Sequence, residues 1–264
     1  MSKPAALPMY DLAGIRSSTD ALWRGIRSEF AKIGFDADRT LDRQSDITRL
    51  WRDPDLGLSQ TCGLPYATTL RDKVTLIGTP DYGILPDQPG WYNSVIIARN
   101  NDSRGDLKDF AGATFAYNGA NSQSGLYAIM FEIQSAFGNG CFFDKCHKSG
   151  GHVLSAKAVI QGQADIAAID AVTWRYLQHL LPDCDQLQVL GSTSPGPGLP
   201  YISGNGNDET ALADAIETAI GNLLPADKMK LGIKGLWRSR PEDYDIILER
   251  ATLSAAVIAA HGIR

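Results

Sequence analysis

The strongest constraint on this chain is a repeated alternation. Short apolar runs end in polar or glycine-bearing turns, and amphipathic stretches follow them. Period-2 and continuous apolar segments predict strands at Ala6–Tyr10, Leu56–Gln60, Val74–Thr79, Ser94–Arg99, Ala113–Tyr117, Ala164–Ile169, Leu187–Gly191 and Leu199–Ser203. Between them Leu22, Ile26, Phe30 and Ile33 share one helical face, which Ser17, Ser18 or Thr19 could cap. Leu126, Ile129, Met130, Ile133 and Phe137 repeat that spacing after Ser122, and Leu212, Ile216, Ile220 and Leu223 repeat it after Asp208. A last helix runs from about Asp245 to His261 and stops at Gly262. Strands alternating with helices define an α/β chain.

Length sets the scale of that architecture. The 264 residues suffice for two compact bodies or one large one. No disulfide or metal is needed to hold a core of that size. Two segments read as crossings between lobes: the polar run Asn100–Asp109 and the Gly/Pro-rich run Gly191–Pro200. The expectation is one discontinuous lobe of residues 1–100 plus 193–264 and a second lobe of residues 101–192. No run approaches the roughly 18–20 apolar residues of a membrane span, so no membrane insertion is expected. The balance of 25 Lys+Arg against 30 Asp+Glu argues against nucleic acid as a partner. The N-terminal run MSKPAALPMYD has no apolar core of a signal peptide, which points to a cytoplasmic chain or to one whose leader has been removed.

Four segments carry candidate chemistry. In Ser59–Tyr66 a strand ends in a hydroxyl- and glycine-rich turn; Gly63 permits close approach of a ligand, and Tyr66 offers a ring and a hydroxyl. The plain alternative is a tight β-α turn. In Asn118–Leu126 a strand leads through Ser122, Gln123 and Ser124 into a helix. Unpaired N–H groups and the helix dipole favour an anion there, although one serine could serve merely as an N-cap. His152, after Gly150 and Gly151, stands at another helix start, where the dipole would lower its pKa and leave it neutral. Asp170 ends the apolar run Ala164–Ile169, at the strand edge where open α/β sheets bind ligands; an N-cap aspartate is the alternative.

No nucleophile elbow, HExxH or CxxC pattern is present, so no catalytic set is assigned. No cofactor is called for. Cys141, Cys146 and His147 make at most half of a zinc site, so no metal is assigned; the cysteines are read as free thiols, with a local disulfide as the alternative.

Together CGLPY at 62–66, NSQSG at 121–125, GGH with Ser155, and AVIQGQADIAAIDAVTW at 158–174 resemble the periplasmic phosphonate-binding protein family. The resemblance implies a two-lobed type II periplasmic-binding-protein-like fold, with a ligand cleft and two crossover strands. It also implies a monomeric solute-binding protein for phosphonate- or phosphate-like anions, an ABC permease as partner, and a periplasmic location. By resemblance Tyr66, Ser122, Gln123, Ser124, His152 and Asp170 contact ligand, with Tyr10, Tyr92 and Ser94 as secondary candidates. An aspartate at the Asp170 position contacts the amine in aminophosphonate binders. The family's Ser-Thr-Ser-Gly turn is here Ser122-Gln123-Ser124-Gly125, which changes the donors offered to a tetrahedral anion. An enzyme on the same scaffold, with His152 and Asp170 as acid–base groups, and a cytoplasmic ligand sensor are the competing readings.

Overall fold

The structure is a computed structural model and describes residues 2–263. The first half of the chain forms β1 (Ala5–Ala6), α1 (Arg16–Lys32), α2 (Ile47–Leu50), β2 (Leu58–Gln60), α3 (Gly63–Pro65), β3 (Val74–Asp81), β4 (Trp91–Tyr92), β5 (Ser94–Arg99), β6 (Thr114–Tyr117) and α4 (Ala128–Phe137). The second half adds β7 (Lys145–Lys148), α5 (His152–Ile160), β8 (Ile166–Asp170), α6 (Ala171–Leu180), β9 (Leu187–Ser192), β10 (Gly196–Pro197), β11 (Tyr201–Gly204), α7 (Glu209–Asn222), α8 (Pro225–Leu231), β12 (Gly235–Trp237) and α9 (Asp245–Ala260). Two compact units result. The first holds Met1–Trp91 and Pro197–Asp245, the second Tyr92–Gly196 and Ile246–Arg264. No helix among the described residues is long and apolar enough to cross a membrane.

The first unit is built on a five-stranded sheet in the order β1-β2-β11-β3-β12. β1 and β2 are parallel, while β11 runs antiparallel to both β2 and β3. α1 and α7 pack together. Leu22, Ile26 and Phe30 on α1, and Leu212, Ile216 and Ile220 on α7, are buried at helical spacing. Burying a side chain of this kind contributes about 1.5–3 kcal/mol, so this seam outweighs any single cap. Asp208 does cap α7, accepting from Ala211 N at 3.0 Å.

α1 begins earlier than the serines suggest. Its N-cap is Ile15, with no side-chain cap, so Ser17, Ser18 and Thr19 lie inside the helix. Ser18 instead donates to Asp227 Oδ1 at 2.7 Å. Ile33 falls just beyond the helix and is exposed, as is Phe137 at the end of α4. The first strand is two residues long, not the five of Ala6–Tyr10. Pro8 carries no N–H to continue a ladder.

The second unit has the strand order β7-β6-β8-β5-β9. β6 is parallel to β7 and β8, and β5 is antiparallel to β8 and β9. Every residue of β8 is buried. Ile166 and Ala168 face a cluster with Phe115, Ile129, Met130 and Val257, while Ala167 and Ile169 face another with Ala156, Val159, Trp174 and Leu177. Helices thus cover both faces of this strand, which explains a continuous apolar run where a one-sided strand would alternate. The polar residues 100–109 lie within this unit; Arg99 and Arg104 there meet Asp165 at 3.0 and 3.4 Å.

Candidate ligand-binding site

In the second unit β6 delivers the chain into the turn Asn118–Ser122, which opens a π-helical turn at Gln123–Tyr127 and then α4. Ser122 is the N-cap: its Oγ accepts from Gly125 N at 3.0 Å, and its own carbonyl accepts from Tyr127 N. The Ser122 hydroxyl keeps its proton for another acceptor. The first N–H groups of a helical run have no partner inside it, so Gln123 and Ser124 stand where backbone donors face an incoming anion. Gly125 is required by close approach: a Cβ there would lie 1.9 Å from Asn118 Oδ1 and 3.1 Å from His152 Cε1.

His152 opens α5 behind that turn. Its Nε2 is 3.0 Å from Ser124 Oγ and 3.4 Å from Asn118 Nδ2. Burial pushes its pKa down to about 4, with the Ala168 backbone acting weakly in the opposite direction. The ring is therefore neutral, as the helix-start position suggests. The cause is desolvation of the imidazolium, whereas the sequence argument placed it in the helix dipole.

The neighbouring strand ends complete the cluster. Ser94 is paired in register with Asp170 across β5 and β8. Ser94 Oγ donates to the Ser124 carbonyl at 2.9 Å, and Ser94 N donates to Thr193 Oγ1 at 3.0 Å. Asp170 is the N-cap of α6, accepting from Thr173 N at 2.9 Å, and its side chain is buried. Tyr92 is buried one strand position before Asn93 and lines a pocket with Ser94, Gln123 and Ser124.

Tyr66 and Tyr10 belong to the first unit. Tyr66 is fully buried with its ring edge-on to Tyr244, centroids 4.7 Å apart, and its hydroxyl has no partner. Burial raises its pKa to about 12. Tyr10 is buried edge-on against Tyr82, centroids 5.0 Å apart. The structure thus brings Ser94, Ser122, Gln123, Ser124, His152 and Asp170 into one unit. It adds three residues that sequence reasoning missed: Asn118, Thr193 and Arg250. Asn118 directly follows the strand ATFAY and could have been found from that place; Arg250 and Thr193 are remote in sequence and carry no local signal. Among the described residues no three metal-ligating side chains cluster, and no disulfide joins the four cysteines.

Comparison with known proteins follows the same line. A family model described as "ABC transporter, phosphonate, periplasmic substrate-binding protein" matches residues 40–246. No curated protein matches in sequence. Among solved structures, PhnD1 from Prochlorococcus marinus in complex with methylphosphonate is 16% identical at a TM-score of 0.73, covering 94% of this chain and 97% of that one. A binding-protein component of a phosphonate ABC transporter from Pseudomonas aeruginosa is 14% identical at 0.69, covering 98% and 89%. A Xanthomonas citri protein, solved with chloride and with ATP, is 18% identical at 0.70, covering 99% of each chain. The fold is that of type II periplasmic binding proteins, and the chain belongs to the periplasmic substrate-binding family of phosphonate ABC transporters.

Proposed function

We propose that this solute-binding protein takes a small oxyanion of the phosphonate or phosphate class, held in the second unit by the turn Ser122–Ser124. Family membership implies a small ligand and a permease partner. The observation that carries the reading is the cap geometry. Ser122 Oγ is fixed by Gly125 N and keeps its hydroxyl proton, directly before the helix-start N–H groups of Gln123 and Ser124. Such a site needs no net positive charge on the protein, because local dipoles supply the attraction. Tyr92, Ser94 and Asp170, in the same unit as the turn, enter the proposal as further ligand contacts or supports of it.

The same geometry argues for binding without turnover. Ser124 and His152 are within hydrogen-bond distance, as a nucleophile and its base would be. An imidazole with a pKa near 4 is a weak base at neutral pH, so the contact orients the turn and does not activate the hydroxyl. A thermal-shift panel tests the proposal with phosphate, phosphite, methylphosphonate, 2-aminoethylphosphonate, sulfonates and carboxylates. A phosphorus oxyanion should raise the Tm by several degrees and be recovered unchanged. No shift with any anion at millimolar concentration would overturn it.

A further inference from the structure

The chain passes between its two units three times, after Trp91, Gly196 and Asp245. Within the second unit the three passages meet beside the ligand turn. Asn93 from the first, Thr193 from the second and Ile247 from the third line one pocket with Gln123 and Ser124. Hydrogen bonds tie the first two passages to the turn. Thr193 N donates to the Ser94 carbonyl at 2.9 Å, and Ser94 N returns a bond to Thr193 Oγ1 at 3.0 Å. Ser94 Oγ then donates to the Ser124 carbonyl at 2.9 Å, inside the turn. Ser94, Thr193 and Ser124 are all buried, so a partner lost here is costly to replace.

Residues 193–195 link β9 to β10, and Pro195 has no N–H to offer a ladder. Charged side chains from two helices hold this link. Glu132 Oε1 on α4 accepts from Ser194 N at 2.6 Å. Arg250 Nη1 on α9 donates to the Pro195 and Ser194 carbonyls at 2.7 and 3.4 Å. Bonds to ionised groups are about twice as strong as neutral ones. Arg250 is also held to α4, with its guanidinium carbon 5.1 Å from the centre of the Phe131 ring. Burial lowers the pKa of Arg250 and the Glu132 carboxylate opposes that shift, so the two charges support each other across Ser194. α4 itself grows directly out of the ligand turn. We propose that Glu132 and Arg250 are positioning residues for the turn: they fix residues 193–195, and through Thr193 and Ser94 they keep Ser124 in the conformation that receives the anion. This rests on the oxyanion reading above, because only a ligand held by the turn responds to its conformation.

Glu132→Leu and Arg250→Met in the full chain test this, with Glu132→Gln as a control that still offers Ser194 N an oxygen. A loosened turn is competent for only part of the time, which lowers the apparent affinity by that fraction. Stopped-flow titration with phosphate and methylphosphonate should show binding about tenfold weaker in the first two variants. The loss should fall on kon, with koff within about twofold of wild type, because no ligand contact is removed. Glu132→Gln should stay within about threefold of wild type. Amide exchange without ligand gives an independent reading. Gly125 N and Tyr127 N, which bond to Ser122, should exchange at least about fivefold faster in the first two variants, while amides within α6 keep their rates. Unchanged affinity, a loss carried by koff, or exchange that rises equally in α6 overturns the proposal. If a variant does not fold, the wild type decides: bound anion should slow exchange at Ser194 N, and no slowing overturns the tie. If neither anion binds the wild type, the oxyanion reading fails by itself, and the exchange rates at Gly125 and Tyr127 still decide whether Glu132 and Arg250 hold the turn.

Discussion

Ser124 Oγ lies 3.0 Å from His152 Nε2, and the second group on that nitrogen, Asn118 Nδ2, can only donate. Nε2 is therefore an acceptor, the ring carries its proton on Nδ1, and the Ser124 hydroxyl donates inward. Within the turn this divides the work: Ser124 braces the turn against α5, while Ser122 keeps a free hydroxyl proton.

Removing the two hydroxyls separately should show that division. Ser124→Ala leaves a buried imidazole nitrogen with only the long Asn118 contact and should cost about 1–2 kcal/mol of stability. Ser122→Ala loses an N-cap, at about 1 kcal/mol, and also a donor to the anion. Urea unfolding paired with anion titration checks both. Ser122→Ala should weaken binding by more than its stability loss would suggest, and equal binding in both variants would refute the assignment.

The low pKa of His152 makes stability depend on pH. The unfolded imidazole protonates near its ordinary value of about 6.5, whereas the folded one resists protonation until about pH 4. Between these values the unfolded chain binds the extra proton. The contribution is thus complete above about 6.5 and is lost progressively as the pH falls to about 4. The ceiling is about 3 kcal/mol, reduced by the ring's partial exposure. Denaturant melts at pH 7.5 and 4.5 should show a larger acid loss in the wild type than in His152→Gln. Parallel losses would mean that the ring titrates normally in the folded state.

Much of the scaffold was legible because burial writes itself into spacing. The strand Ser94–Arg99 and the cap of α7 by Asp208 fall where the residues place them. α1 did not, because three hydroxyl residues in a row look like caps while Ile15 begins the helix without one. The cluster around the turn was visible in part. Strand-end serines, a glycine pair and a histidine are local signals, and Asp170 has the capping role that its position allows. What stayed hidden was long-range. Arg250 reaches the 194–195 carbonyls from a helix some 55 residues onward, and Thr193 meets Ser94 from 99 residues away. No period or motif encodes such contacts; only the folded second unit creates them.

Gly125 tolerates no side chain while Asn118 holds its place. In Gly125→Ala the new Cβ would sit 1.9 Å from Asn118 Oδ1 and 2.7 Å from its Cγ, so the amide must leave His152. The expected cost is about 1–3 kcal/mol. In an Asn118→Ala background the obstacle is gone, and the same substitution should cost distinctly less. A double-mutant cycle by urea unfolding measures the coupling. Additive costs would place the strain elsewhere in the turn.

The cysteines offer a check on the second unit that needs no ligand. Cys141 is exposed, whereas Cys146 sits half-buried on β7, where burial, with a smaller contribution from Cys141, pushes its thiol up to about 12. At pH 8 only about one Cys146 in ten thousand is then a thiolate, and the thiolate is the species that alkylates. Iodoacetamide followed by peptide mass mapping should label Cys141 quickly and leave Cys146 almost untouched until urea unfolds the chain. Comparable rates at the two positions in the native protein would show that β7 does not shield its thiol.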